Sequence, residues 1–425
     1  MQNFEESPAH DPYAALRIPG VSLYLGGNLI ASIGFLMKDT AIIWEVYRET
    51  NSTLQLGLVG LLQALPMIAL PLITGHVADN FDRKRIMTVS LVLLAAAALA
   101  LTVNSLYFHS MPLLYGSLLF HGIVRAFQQP ARQSLLPQIA TPETFPNAVT
   151  WGSGGFHLAQ VLGPIFASTI IYQMETAWLV YLIYAILALT FFSILFWIRH
   201  KPLGRSQEAI TLETVTGGLR FVFRNKLLLT VMSIDLFAVL LGGASGLMPV
   251  FQQDILQVND FWLGVLRAAP AVGSVVVSVL IAHRPPFDRA GRAMLLAVAG
   301  YALATIVFGL STTLWLTLAA LVFSGACDIV SVVIRHTMIQ TLTPDGMRGR
   351  VSAINGMFIG ASNYLGDAEA GYVAHFLGPT FSVVSGGVGS LLVVLTASYL
   401  SPQLRKFGRI GVVAVVEPEE SRDLA

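Results

Sequence analysis

Gly75-His76-Val77-Ala78-Asp79-Asn80-Phe81-Asp82-Arg83-Lys84-Arg85 decides the reading of this chain. An apolar run leads into it, two aspartates and three consecutive bases follow, and a second apolar run begins at Ile86. The stretch is therefore a short charged hairpin between two membrane-length segments. Three cations in so short a turn place it on the cytoplasmic side by the positive-inside rule.

Composition agrees with that reading along the whole chain. Of 425 residues 55% are hydrophobic and 12% charged, with a mean hydropathy of +0.69, whereas soluble domains carry about 25% charged residues. Runs long enough to cross roughly 30 Å of hydrocarbon as helix occur at Ser22–Val46, Gln55–Ala78, Ile86–Phe108, Pro112–Phe127, Val149–Tyr172 and Trp178–Ile198. They recur at Leu227–Phe251, Phe261–Ala282, Ala293–Leu310, Leu314–Met338, Val351–Phe376 and Thr380–Leu400. The expected fold class is thus all-α and integral to the membrane, with twelve spans.

Charge sorting orients them. With the N-terminus inside, 20 of the 25 Lys and Arg residues, Arg132 among them, fall on the cytoplasmic side and only Arg48 outside, while Lys38, Arg125, Arg267 and Arg335 fall within spans. The polar, acidic start of the chain, residues 1–21, is not a cleavable signal, and both termini are expected in the cytoplasm. The single Cys327 excludes an intramolecular disulfide. The near-neutral net charge carries no sign of a nucleic-acid partner, and the partners expected are membrane lipids, a small-molecule solute and a coupling ion, on a monomer.

The chain repeats itself. Asn80-Phe81-Asp82-Arg83 is echoed by Pro286-Phe287-Asp288-Arg289, and Thr141-Pro142-Glu143 by Thr343-Pro344-Asp345, each about half a chain later. Two six-helix halves in the same orientation, residues 22–198 and 227–400, are the arrangement in which repeats rock about a site near the midplane. Residues 199–226 form the cytoplasmic linker, whose Leu212–Phe223 part reads as an amphipathic helix, and residues 401–425 form a cytoplasmic tail.

These features resemble the major facilitator superfamily. Gly75, Asp79, Arg83 and Lys84 match its loop motif between the second and third helices, with Asn80 and Asp82 departing where a base and a glycine are usual. That departure, together with Pro130–Pro137, Thr337–Thr341, Thr343-Pro344, Gly349-Arg350 and Gly366-Asp367, is similar to the transmembrane secretion effector branch, which contains siderophore (enterobactin) and macrolide exporters. The resemblance implies alternating access, a latch at Gly75, Asp79, Arg83 and Lys84, and a bacterial inner-membrane location. Asp79 and Arg83 stand four residues apart, and a carboxylate at a helix C-terminus needs such a cation. Gly163-Pro164, flanked by Ala159, Ala167 and Ser168, partly matches the superfamily's antiporter motif, in which proline bends the fifth helix and small residues allow close packing.

Ionisable residues inside spans are costly unless they face protein or water, so they are the coupling candidates. Asp39, Asp367, Glu369, Asp235 and Asp328 are expected to exchange protons or bind sodium, with Asp39 and Asp367 foremost. A static ion pair, such as Lys38 with a carboxylate, is the competing reading. Arg125 and Arg335 are expected to snorkel toward the cytoplasmic face, and Asp235 to be wetted from inside. Polar and aromatic candidates for the solute cavity are Asn28, Trp44, Gln63, His121, Trp151, His157, Gln160, Asn355 and Asn363.

Enzyme chemistry has little support: no lysine follows a glycine, as a phosphate-binding loop requires, and there is no HExxH and no complete GxSxG. No cofactor or metal is expected. The function expected is proton-driven export of a small amphipathic organic molecule such as a siderophore. Multidrug or macrolide efflux and lysophospholipid transport stand as alternatives, and a non-transporting sensor or a membrane enzyme is more remote.

Overall fold

Inside hydrocarbon a backbone must satisfy its own amides, which for these apolar runs means helix. The computed structural model describes residues 11–199, 212–283, 287–344 and 347–408, and helices dominate them. The first six spans are Pro19–Thr50, Thr53–Ala69 continued after Leu70 by Pro71–Asn80, Arg83–Val103, Met111–Ile139, Phe145–Met174 and Trp178–Trp197. The second six are Lys226–Gly242 with its irregular continuation to Ile255, Phe261–Ala282, Ala290–Leu310, Leu314–Leu342, Arg348–Leu377 and Pro379–Leu400.

Among the described residues nine of these helices are both long and apolar enough to cross a membrane. The second, fourth and eleventh fall short in length or hydropathy. The second and eleventh pack on each other, and the fourth packs on the second and third, so part of their surface faces protein instead of lipid.

The packing pattern is two-fold. In the first half, the first span packs on the fifth and sixth, the third on the fourth and sixth, and the second on the fourth. The second half repeats this with the seventh on the eleventh and twelfth, the ninth on the tenth and twelfth, and the eighth on the tenth. The halves meet where the second span packs on the eleventh and the fifth on the eighth, a pairing that is itself symmetric.

Small residues permit that meeting. A Cβ on Gly264 would lie 2.0 Å from Ser168 Oγ and 2.3 Å from the Pro164 carbonyl oxygen, and one on Gly371 would lie 2.5 Å from Gly57 N. Backbones this close exclude any side chain larger than hydrogen. Gly163 is held likewise, 2.7 Å from Leu36 Cβ of the first span, and the fifth span stays helical through Pro164.

The two ends of the molecule differ. At the end away from the termini, one buried cluster joins both halves, running from Trp44, Tyr47 and Leu56 to Phe251, Leu263 and Val383. At the end bearing the termini, each apolar cluster belongs to a single half. Tyr47 of the first span also hydrogen-bonds Asp254 at the end of the seventh span across the joined end. Among the described residues, buried apolar packing joins the halves away from the termini and none joins them on the terminal side, so the conformation reads as closed at the first end and parted at the second.

The linker helix, Leu212–Arg224, buries Val222 against Leu228, Met232, Ile339 and Val351 of the second half. Asp82 caps the third span, its carboxylate accepting from the amides of Lys84 at 2.8 Å and Arg85 at 3.4 Å. The loop motif's departure from glycine thus supplies a helix cap. The fourth span runs twelve residues beyond its expected end at Phe127, through Pro130 and Pro137. It carries Arg132 into the membrane domain, which corrects the reading of Arg132 as a loop cation.

Candidate functional site

Polar groups converge near the middle of the molecule at three places. The first lies between the halves. Lys38 is fully buried and its Nζ stands 2.7 Å from Asp39 Oδ1. Asp367, on the eleventh span, accepts from Ser245 Oγ and from Gly246 N, both at 2.8 Å. The seventh span breaks at Gly243 and Ala244, and the short turn that follows offers the Gly246 amide to the carboxylate. Arg267 of the eighth span lies within electrostatic reach of both Asp39 and Asp367, one carboxylate from each half. Phe35 sits under two cations, with Lys38 Nζ at 4.8 Å and the Arg125 guanidinium at 3.9 Å from its centroid.

The second place is a cavity of ≈ 20 Å³ inside the first half, lined by Asn28, Ser32, Arg125, Gln128, Arg132 and Tyr184 over apolar walls from the third and sixth spans. The third is a cavity of ≈ 10 Å³ inside the second half, lined by Asp235, Tyr301, Asp328 and Ser331 among apolar neighbours. Either holds about one water and neither holds an organic solute.

These two cavities are one site, built twice. Aligning helix starts (Pro19 with Lys226, Arg83 with Ala290, Met111 with Leu314) pairs Asn28 with Asp235, Leu94 with Tyr301, Arg125 with Asp328, Gln128 with Ser331 and Arg132 with Arg335. Every residue lining the second cavity is matched by one lining the first. The repeat preserved the place and changed its charge.

Arg335 forms a buried salt bridge with Asp235 of the seventh span. It does not snorkel, and Asp235, 6% exposed, is enclosed by protein. Arg125 likewise points inward onto Phe35. In each case a partner decides the outcome: Asp235 takes Arg335 and the Phe35 ring takes Arg125.

Of the residues expected to carry the function, Asp39 and Asp367 lie together across the interface, and Asp235 and Asp328 share a cavity. Glu369 is half-buried and apart. Asn28 lines the first cavity, and His121 Nε2 stands 2.9 Å from Tyr184 Oη beside it. His157 bonds Gln160 of its own helix at 3.1 Å, Asn363 donates to its own helix at Ile359, and Gln63 is half-buried on the second span.

Three candidates are placed elsewhere. Trp151 donates to the Pro12 carbonyl at 3.0 Å and packs on Tyr13, anchoring the segment before the first span. Trp44 is buried in the cluster at the closed end, with Arg48 over its ring. Asn355 is buried on the eleventh span next to Ile354, which packs in the cluster that includes Val222 of the linker helix. Composition finds polar residues in spans but not the neighbours that claim them.

At the loop motif, Gly75 is buried and Lys84 Nζ donates to the Ile198 carbonyl at 2.9 Å, where a cation complements the C-terminus of the sixth span. Arg83 Nε is buried with no hydrogen-bond partner among the described residues, and the Asp79 side chain lies outside the described ones. Sequence reasoning passed over Arg267 as a site residue, along with Ser245, Arg132 and Glu45, whose carboxylate accepts from Tyr181 Oη at 2.6 Å. Helix-by-helix alignment of the two halves would have found Arg132 as the counterpart of Arg335.

The chain matches the transmembrane secretion effector family over residues 10–416. It is 26% identical over 385 residues to "Enterobactin exporter EntS" of Escherichia coli O1:K1 / APEC, covering 89% of this chain and 90% of that one. Among solved structures it resembles a bacterial homologue of the human lysosomal transporter Spinster in an inward-facing, unoccupied conformation (TM-score 0.68, 15% identity, 91% of this chain and 98% of that one). It also resembles a D-xylose-proton symporter (TM-score 0.68, 16% identity, 93% and 100%). With a membrane helical fold in two symmetric halves and a match across nearly its whole length, this chain belongs to the transmembrane secretion effectors of the major facilitator superfamily, which are transporters and not enzymes.

Proposed function

We propose that this transporter exports a small amphipathic organic molecule, of the siderophore type, in exchange for protons across a bacterial inner membrane. The observation that carries the coupling is the shared cation: Asp39 of one half and Asp367 of the other both attract Arg267, at the interface that must rearrange. Protonating either carboxylate weakens that attraction and so favours one arrangement over the other, as a coupling ion must. The relative named as an enterobactin exporter supports a siderophore over other amphipathic solutes.

With the basic end of the molecule in the cytoplasm, as the loop charges favour, the parted side faces inward and is ready to load a solute from the cell. Gly75, Asp79, Arg83 and Lys84 then act as the latch that engages when the terminal ends close. Macrolide or lysophospholipid export uses the same cycle and differs only in the solute.

Inverted membrane vesicles carrying the transporter test this with a labelled catecholate siderophore, a macrolide and a lysophospholipid, with and without an uncoupler. Accumulation of the siderophore that the uncoupler collapses, and that Asp367→Asn abolishes, is the expected result. Accumulation insensitive to the uncoupler would reject proton coupling. Movement of the macrolide or lipid alone would reject the siderophore.

A further inference from the structure

The cavity inside the first half has an unbalanced charge. Arg125 and Arg132, seven residues apart on one face of the fourth span, both line it, and no carboxylate does. Among the described residues neither guanidinium has a salt bridge. Ser32 Oγ, in the same wall and on a side chain only 4% exposed, has no hydrogen-bond partner there either. The ring of Phe35 partly offsets the charge of Arg125 and does nothing for Arg132. Arg125 and Arg132 are half-buried, and water in the cavity would satisfy their hydrogen bonds while leaving two like charges side by side without a counter-charge.

The repeat shows what is missing. In the second half the counterpart of Arg132 is Arg335, and it is neutralised by Asp235. The first half carries Asn28 at the position of Asp235, an amide that donates where the repeat has an acid. We infer that the cavity bounded by Asn28, Ser32, Arg125 and Arg132 binds a small inorganic anion of halide size, which stands where the second half keeps its own carboxylate.

The volume, ≈ 20 Å³, is that of a single water-sized occupant and suits an ion of halide size. The donors suit such an ion: two guanidinium forks, a hydroxyl and two side-chain amides, all able to give N–H or O–H and none carrying negative charge. The site adjoins the Asp39 network, since Lys38 and Arg125 share the Phe35 ring, but its ion does not depend on which solute is carried.

Radiolabelled chloride binding to the purified full chain, at constant ionic strength made up with gluconate, tests this. Saturable binding of one chloride per chain, displaced by bromide, is expected. Arg132→Gln should weaken it about tenfold or more, and Arg85→Gln, at the exposed loop, should leave it unchanged. Asn28→Asp is the decisive variant, because it installs the carboxylate of the second half. It should abolish chloride binding while leaving the protein as stable in gluconate as the unaltered chain is in chloride.

Bromide soaked into crystals of the unaltered protein should give an anomalous peak between Arg125 and Arg132, a readout that needs no variant to fold. Absence of saturable binding, chloride binding retained in Asn28→Asp, or a bromide peak elsewhere would each overturn the site. Displacement of chloride only by the exported solute would show that the pocket serves that solute's own anionic group, and would overturn the inorganic ion.

Discussion

The two halves share a helix order and a packing pattern, and their interiors carry opposite charge. Where the fourth span places Arg125 the tenth places Asp328, and where the first places Asn28 the seventh places Asp235. Arg132 and Arg335 are the same residue at equivalent positions, yet only Arg335 has a carboxylate partner. Backbone symmetry is maintained by what helices need in order to pack: small residues at crossings and apolar residues at buried seams. Interior charge answers to whatever ion reaches it, so each half was free to diverge at the same place.

The largest expected effect breaks the comparison at its strongest contact. Arg335→Leu leaves Asp235 buried without its partner and should destabilise the protein by about 3–5 kcal/mol, read as loss of monodisperse protein on heating in detergent. Replacing both, Asp235→Leu with Arg335→Leu, should recover most of it. Arg132→Leu removes the equivalent cation from a cavity with no carboxylate and should cost far less. Equal losses in Arg132→Leu and Arg335→Leu would mean that the two interiors are electrostatically alike after all.

A smaller effect is expected where the halves touch. Gly264→Ala places a methyl group against the Pro164 carbonyl and Ser168, and overpacking of this kind costs roughly 1–3 kcal/mol. Because the cost falls only on the closed arrangement, the variant should shift the population toward one parted away from the termini. Cysteine pairs placed near Tyr47 and Asp254 should then cross-link more slowly than in the unaltered chain. Gly371→Ala, at the symmetric contact with Gly57, should act in the same direction, and opposite behaviour would break the symmetry of the interface.

The smallest effect concerns the turn from which the fold can be read. Asp82→Ala removes the cap of the third span and should cost about 1 kcal/mol, measured in the same thermal assay. Asp82→Gly, which restores the residue usual in the superfamily's motif, should cost only a few tenths. A large loss in transport with little loss of stability in either variant would assign Asp82 to the latch as well as to the cap.

Much was legible before any coordinates. The all-helical membrane fold and its many spans follow from hydropathy, because lipid imposes one-dimensional rules on a chain. The amphipathic linker helix followed from its periodicity. The intramembrane carboxylates were picked out by cost alone, since a charge in a span is rare enough to need a reason. Hydropathy gave no end for the fourth span at Ile139, because Arg125, Gln128, Arg132 and Pro130 all read as a boundary when their neighbours are unseen.

By itself the sequence determined that this protein crosses a membrane many times, repeats once and belongs with the secretion effectors, since each of those properties is written in local composition and motif. Tertiary structure alone decided the partners. It gave Arg335 to Asp235 and Arg267 to two carboxylates, turned Trp151 to the N-terminal segment and left Arg125 and Arg132 sharing one cavity. Pairing depends on which helix faces which and at what depth. Two residues a hundred positions apart meet only after the whole bundle has packed, and no local pattern in the chain encodes that meeting.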